Sequence, residues 1–315
     1  RRKVARRLLP EIRGRISKHE MKVGHFVDSS EVMEFVNSKQ LEQLAPLGTS
    51  CPDHFLRTKI RPLIVPHDAE GAALDALIDS YRKDYAAYYD ACKHADSPAM
   101  RDPNAVIYLV PQVGMLSFAK DKATARIAAE FYVNAINVMR GASSVSEYVG
   151  LPAQEAFNIE YWLLEEAKLQ RMPKPKSLAG RIALVTGGAG GIGSAIASKL
   201  LSEGACVVLA DIDKASLDEV TAGFGKTYGK DNVRGVVMDV TSEDAVIGAT
   251  DQAVLAYGGL DIVVNNAGIT LAAPVEDTSL ELWNKNMAIL GTGYFLVARE
   301  GYRLMQKQKL GGSMI

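Results

Sequence analysis

The chain has 315 residues, 48% hydrophobic and 23% charged, with a formal net charge of −1. This composition suits a core for about two domains and excludes a disordered chain, a collagen-like chain and a disulfide-stapled miniprotein. No apolar run reaches the roughly eighteen residues of a membrane-spanning helix, and no basic surplus exists to hold nucleic acid, so neither a membrane nor a nucleic acid is an expected partner.

Arg1 stands where an initiator Met would, and the chain ends at Ile315 just as a strand starts, so an internal piece of a longer polypeptide is expected. The opening basic cluster of Arg1, Arg2, Lys3, Arg6 and Arg7 reads as a solvated helix face. Cys51, Cys92 and Cys206 form no CxxC pair, which points to reduced thiols and a cytoplasmic setting. Residues 61–65 and 105–110 read as short β-branched strands. Between them Leu77, Tyr81, Tyr85 and Tyr88 recur on one helix face, as core or as an interface patch. Ile127, Phe131, Ala135 and Val138 form a second helical stripe. Strand, helix, strand, helix predicts a small α/β unit.

The most polar cluster of this first segment is Cys51, His54, Arg57 and Lys59. It is a candidate to face a phosphate through Arg57 and Lys59 or to pair Cys51 with His54, although Pro52 interrupts the helical spacing; otherwise it is a turn into the strand at 61–65. His19, His25, His54, His67 and His94 form neither His-x-His nor His-Glu-x-x-His, so no metal site is assigned. A connector with two prolines and two lysines at 171–176 separates residues 1–172 from residues 173–315.

Beyond the connector, strands are predicted at 181–185, 205–210, 233–238 and 260–264, with helices at 193–201, around 243–257 and across 280–307. This alternation implies right-handed βαβ crossovers and a doubly wound, Rossmann-type parallel sheet, incomplete at its C-terminus. The first of these strands runs into Thr186, Gly187, Gly188, Ala189, Gly190, Gly191, Ile192 and Gly193, and a helix follows at once. Gly187 allows the tight turn, Gly191 lets a pyrophosphate approach the backbone, and Gly193 lets helix and sheet pack closely. The helix N-terminus offers N–H groups and partial positive charge to that anion. Asp211 ends the second strand 18 residues past Gly193, placed to accept hydrogen bonds from the adenosine ribose and to repel a 2′-phosphate. NAD is therefore the expected cofactor; a helix cap is the alternative role for Asp211.

Thr186 to Gly193, Asp239 with Val240, and Asn265, Asn266, Ala267 and Gly268 resemble, in order, the N-terminal signatures of the short-chain dehydrogenase/reductase family, over roughly residues 177–315. The resemblance implies that Asp239 and Val240 lie against the adenine and that Asn266, Ala267 and Gly268 line the cofactor cleft. It also implies a proton relay of Ser and Tyr-x-x-x-Lys after the fifth strand, beyond Ile315, so no catalytic residue is assigned within these residues. Leu290 stands where the family carries an Asn; Asn286, one turn earlier, is a weak catalytic candidate acting through water. The Tyr89-x-x-x-Lys93 spacing precedes the glycine turn and reads as a coincidence.

In the first segment, the stretches at 35–39, 48–54, 131–139 and 160–162, followed by such a dehydrogenase, resemble bifunctional class II aldolase/short-chain dehydrogenase proteins, similar to rhamnulose-1-phosphate aldolase/lactaldehyde dehydrogenase fusions. That resemblance implies an aldolase core preceding Arg1. It also implies an NAD-dependent dehydrogenase acting on lactaldehyde or another small aldehyde or alcohol in deoxysugar (rhamnose) catabolism, as a cytoplasmic homo-oligomer. The same loop would also serve a non-catalytic dinucleotide scaffold or sensor, or an NAD-using epimerase or dehydratase.

Overall fold

The computed structural model describes residues 1–315. Its contacts divide the chain into two compact units, Arg1–Leu8 with Gly24–Lys174 and Leu9–Val23 with Pro175–Ile315. The later break falls between Lys174 and Pro175, close to the boundary read from the connector. The stretch Leu9–Val23, which sequence alone places in the first segment, belongs instead to the unit with the glycine-rich turn.

The first unit contains the start of α1 (Arg2–Ile16), then β1 (Val23–Val27), α2 (Ser30–Val36), α3 (Leu41–Leu44), α4 (Phe55–Thr58) and β2 (Leu63–Ile64). It continues with α5 (Gly71–Cys92), β3 (Ile107–Val110), β4 (Gly114–Ala119), α6 (Lys122–Val145), α7 (Ala153–Glu160) and α8 (Leu163–Gln170). Its four-stranded sheet has the order β1-β4-β3-β2. β2 and β3 are parallel, whereas β3 and β4 are antiparallel with Ile107 opposite Ser117. β4 is buried along nearly its whole length and so lacks the alternation that marks a half-exposed strand.

The α6 helix starts on an Asp121 cap, whose carboxylate accepts from the Thr124 N–H at 2.7 Å. Its buried face carries Ala125, Ala128, Ala129, Tyr132, Ala135, Ile136 and Met139. Of the expected stripe only Ala135 is buried, because the alanines let the helix settle closely on the sheet and turn the larger side chains to its flanks. Phe131 instead stacks on His54 with ring centroids 4.1 Å apart. On α5, Leu74, Ile78, Tyr81 and Tyr85 are buried, while Leu77 and Tyr88 are half-buried.

The second unit adds β5 (Ile182–Thr186), α9 (Gly191–Ser202), β6 (Cys206–Asp211), α10 (Lys214–Tyr228), β7 (Val233–Val237) and α11 (Glu243–Tyr257). It ends with β8 (Ile262–Val264), α12 (Leu280–Met287), α13 (Tyr294–Gln308) and β9 (Ser313–Met314). The sheet order is β7-β6-β5-β8-β9, with every pair parallel. The protein is therefore α/β, with a doubly wound parallel sheet. β5 and most of β6 are buried on both faces, which explains their unbroken apolar runs. Edge strand β7 exposes Arg234 and Val237 and buries Val233 and Val236.

The single helix expected across 280–307 is interrupted by a π-helical turn at Ala288–Gly293. Gly291 and Gly293 weaken the helix there, and a Cβ on Gly293 would lie 2.9 Å from the Val240 side chain, so the chain closes tightly on the segment after β7.

The part of α1 that belongs to this unit buries Leu9, Ile12 and Ile16 together with Arg13, which is 0% exposed. The Arg13 guanidinium forks onto Asp261 just before β8, at 2.9 Å and 2.7 Å, and also donates to the carbonyls of Lys22 at 2.6 Å and Gly180 at 3.1 Å. Asp261 in turn accepts from the Ile182 N–H at 2.9 Å, so this ion pair joins α1 to the start of β5. No helix is long and apolar enough to cross a membrane.

Candidate functional site

β5 sends its connection through α9 to β6 on one side, while β8 lies on its other side. This is a topological switch point, and the carboxyl ends of the flanking strands leave a crevice there. The crevice is a cleft of about 400 Å³ lined by Gly187, Gly190, Gly191, Ile192, Gly193, Asp211, Asp239, Val240, Asn266, Ala267 and Gly268. Ile212, Met238, Ile269 and Ile289 complete it. Two residues of the sequence set lie elsewhere. Gly188 turns beneath the loop, where an added Cβ would press on Leu209 at 3.1 Å. Asn286 does not line the cleft. Its amide donates to the carbonyls of Leu282 at 3.0 Å and Leu271 at 3.3 Å, which holds it on its own helix and against the preceding loop.

The glycine turn is locked by a knot of hydrogen bonds between Thr186 and the segment after β8. The Thr186 hydroxyl donates to the Val264 carbonyl at 3.3 Å and accepts from the N–H groups of Asn266 at 3.0 Å and Ala267 at 2.9 Å. The Asn266 amide donates to the carbonyls of Thr186 at 3.0 Å and Gly187 at 3.2 Å. Gly187 has φ +62°, a conformation that favours glycine. A Cβ on Gly193 would sit 2.1 Å from the Gly187 carbonyl oxygen, so only glycine lets α9 begin this close to the turn.

A Cβ on Gly191, by contrast, meets nothing within 4 Å and would point into open space. The cradle thus leaves room at the helix start, where the first N–H groups have no intrahelical acceptor and favour an anion. Asp211 accepts from the Ala189 N–H at 3.0 Å and the Asp213 N–H at 3.1 Å, which ties the end of β6 to the glycine turn. The helix-cap role falls to Asp213, whose carboxylate accepts from the Ala215 and Ser216 N–H groups. The Ser216 hydroxyl and N–H hold the Asp213 carboxyl below its ordinary value. Asp239 forms a tight turn by accepting from the Thr241 N–H at 2.9 Å and its hydroxyl at 2.8 Å. The exposed Ile212 and the Val240 side chain supply apolar surface to the cleft. An open anion cradle, a carboxylate at the end of the second strand and apolar walls fit a dinucleotide. Leu290 lies beyond this lining, 3.2 Å from where a Gly268 Cβ would be.

The polar groups noted in the first unit do not converge. Arg57 is exposed whereas Lys59 is buried, with its ammonium on the Asp102 carbonyl. Desolvation lowers the His54 pKa against the opposing charge of Asp53. The Tyr89 hydroxyl donates to the Pro98 carbonyl at 2.7 Å, and Lys93 pairs with Asp90 at 2.7 Å.

Residues 3–169 match the family model described as aldolase class II, second domain, and residues 181–315 match the one described as short chain dehydrogenase. The chain belongs to the family described as aldolase class II, second domain, whose model spans more than half of it, and carries beside it a segment that matches short chain dehydrogenase. A Bacillus subtilis protein, "Uncharacterized oxidoreductase YuxG", is similar to both parts of this fusion chain. It is 38% identical over 315 residues, covering 98% of this chain and 46% of that protein. The "D-threitol dehydrogenase" of Mycolicibacterium smegmatis is 36% identical over 139 residues, 44% of this chain and 52% of that one. The "NADP-dependent (R)-specific alcohol dehydrogenase" of Lentilactobacillus kefiri is 38% identical over 138 residues, 44% of this chain and 54% of that one. The chain spans about half the length of these relatives. A solved short-chain dehydrogenase/reductase of glucose/ribitol dehydrogenase type from Brucella melitensis is 31% identical, covering 39% of this chain and 51% of that one, with a TM-score of 0.38.

Proposed function

We propose that the fusion protein is an NAD-dependent oxidoreductase of a small aldehyde or alcohol such as lactaldehyde, joined to a rhamnulose-1-phosphate-type aldolase in deoxysugar breakdown. The observation that carries the reading is the cleft at the switch point, with the open cradle at Gly191 and the carboxylate of Asp211 on one lining. In this reading the start of α9 holds the diphosphate, Asp211 accepts from the ribose hydroxyls, and Ile212 and Val240 flank the adenine. Asn266, Ala267 and Gly268 line the side of the cleft nearer β8. A nicotinamide cofactor, when bound, supplies hydride transfer. Asp211 and Asp239 are the only ionisable side chains among the lining residues, so the work of this lining is to bind and orient. A carboxylate at Asp211 disfavours a 2′-phosphate, which supports NAD even though one relative is named for NADP dependence.

The test is NADH formation from lactaldehyde and NAD by the full-length protein, followed by absorbance. Turnover with NAD well above turnover with NADP supports the proposal. Dinucleotide binding without turnover of any small aldehyde or alcohol favours a second reading, a binding scaffold. That reading draws on Leu290 at the family's Asn position and on the prior engagement of the Asn286 amide.

A further inference from the structure

A second cavity lies wholly within the first unit. It is an open cleft of about 600 Å³, within the range of small-molecule sites. Its polar lining comes from Gln43, Arg61, Asp84 and Glu147, and Tyr81, Tyr85, Tyr88 and Tyr148 give it aromatic walls.

Behind two of those walls is a buried polar cluster whose cost calls for an explanation. Glu160 is 1% exposed. The Tyr85 hydroxyl donates to it at 2.6 Å and the Tyr88 hydroxyl at 3.3 Å, while the Tyr161 hydroxyl lies 2.8 Å from that of Tyr85. Lys59, also buried, holds its ammonium 3.9 Å from the centre of the Tyr85 ring. To do so its backbone adopts φ +62° and ψ −178°, a region that glycine occupies and other residues avoid. A desolvated carboxylate and a strained lysine each oppose folding, and such features cluster where a surface must be held rigid. Here the surface they hold is the Tyr85 and Tyr88 side of the cavity.

We propose that this cavity binds an uncharged polyhydroxylated ligand, a sugar or polyol. Arg61 and Asp84 form an ion pair at 2.9 Å on the lining, and adjacent hydroxyls of one ligand can accept from the guanidinium while donating to the carboxylate. Gln43 offers both a donor and an acceptor, and Glu147 a further acceptor. The tyrosine walls suit the C–H faces of such a carbon chain. Two of them are committed as walls, because the Tyr81 hydroxyl donates to the Arg61 carbonyl at 2.8 Å and that of Tyr148 to the Thr49 carbonyl at 3.0 Å. Anionic ligands are disfavoured, since Asp84 and Glu147 outnumber Arg61 on the lining. A cationic ligand meets Arg61 on the lining and finds Tyr85 already carrying the Lys59 ammonium.

The test is ligand-observed NMR and calorimetry on the 315-residue chain with xylitol, mannitol and glucose, alongside choline and inorganic phosphate. Two variants report on the site. Ala153→Trp fills the cavity from an exposed lining position at the start of α7, and Asp84→Ala removes a largely exposed carboxylate, so both spare the core. The expected result is binding of at least one of the three hydroxylated probes, weakened about tenfold or more by each variant, with circular dichroism showing an intact fold. The proposal is overturned if none of the three binds, if binding is unchanged in both variants, or if only choline or phosphate binds at this cavity.

Discussion

Arg13→Met tests the packing of Leu9–Val23 with the second compact unit, a stretch that also lies within the aldolase class II match. The substitution keeps most of the side-chain volume and removes the guanidinium. Asp261 is then left 1% exposed, with the Ile182 N–H as its near donor and the Arg181 guanidinium at 4.0 Å. The carbonyls of Lys22 and Gly180 each lose a donor as well. Removing one partner of a buried ion pair costs about 3–5 kcal/mol, and the orphaned carbonyls do not add independently to that figure. In a chain of this size the loss lowers the melting temperature of the second unit by about 10 °C. Hydrogen exchange read by mass spectrometry localises the effect, which is expected in β5, β8 and residues 9–23, with the first unit's β3 and β4 unchanged. Arg13→Lys recovers part of the loss because an ammonium cannot reproduce the two-pronged contact. The double variant Arg13→Met/Asp261→Leu is more stable than Arg13→Met alone, since it removes the stranded charge. Stability of Arg13→Met within about 1 kcal/mol of the parent, or exchange changes confined to the first unit, would refute the packing of Leu9–Val23 into the second unit.

Asp211→Ala is expected to weaken NAD by roughly ten- to a hundredfold through lost charge-assisted hydrogen bonds, and to narrow the gap to NADP. Titrating both cofactors checks this, and unchanged affinities would remove Asp211 from the ribose site. Gly191→Val puts a side chain into the open cradle and should abolish dinucleotide binding while leaving the melting temperature near that of the parent; parental affinity would displace the diphosphate from α9. Burial raises the Glu160 pKa, against the Tyr85 hydrogen bond and the charges of Lys59 and Arg101. The folded state therefore holds that proton more tightly than the unfolded state. The resulting stabilisation is complete below the ordinary carboxylate range and is lost as pH rises through the shifted value. Denaturant melts across that interval should show the first unit weakening with rising pH, and Glu160→Gln should flatten the slope; an identical slope in the variant would refute the assignment.

The parallel sheet and the lining of the candidate cleft were legible because their physics is local or nearly so. A strand buried on both faces writes an unbroken apolar run, and a turn that approaches an anion needs glycine at fixed offsets, so 182–193 and Asp211 declare themselves within one βαβ unit. Even there the hydrogen bonds that hold the turn were not legible: Thr186 and Asn266 act by reaching across from β5 to the end of β8, about eighty residues apart in the chain. The stripe on α6 misled because size was read as burial, whereas close packing on the sheet selected alanines. That the Asn286 amide rests on nearby carbonyls, outside the cleft lining, is not revealed by its helical position. Arg13 and Glu160 lie at the far end of this scale. In sequence each is one charged residue on an amphipathic helix. Only the fold brings Arg13 onto Asp261, 248 positions away, and Glu160 beneath Tyr85, 75 positions away. A charge can be buried only where distant groups meet it, and no local pattern records that meeting.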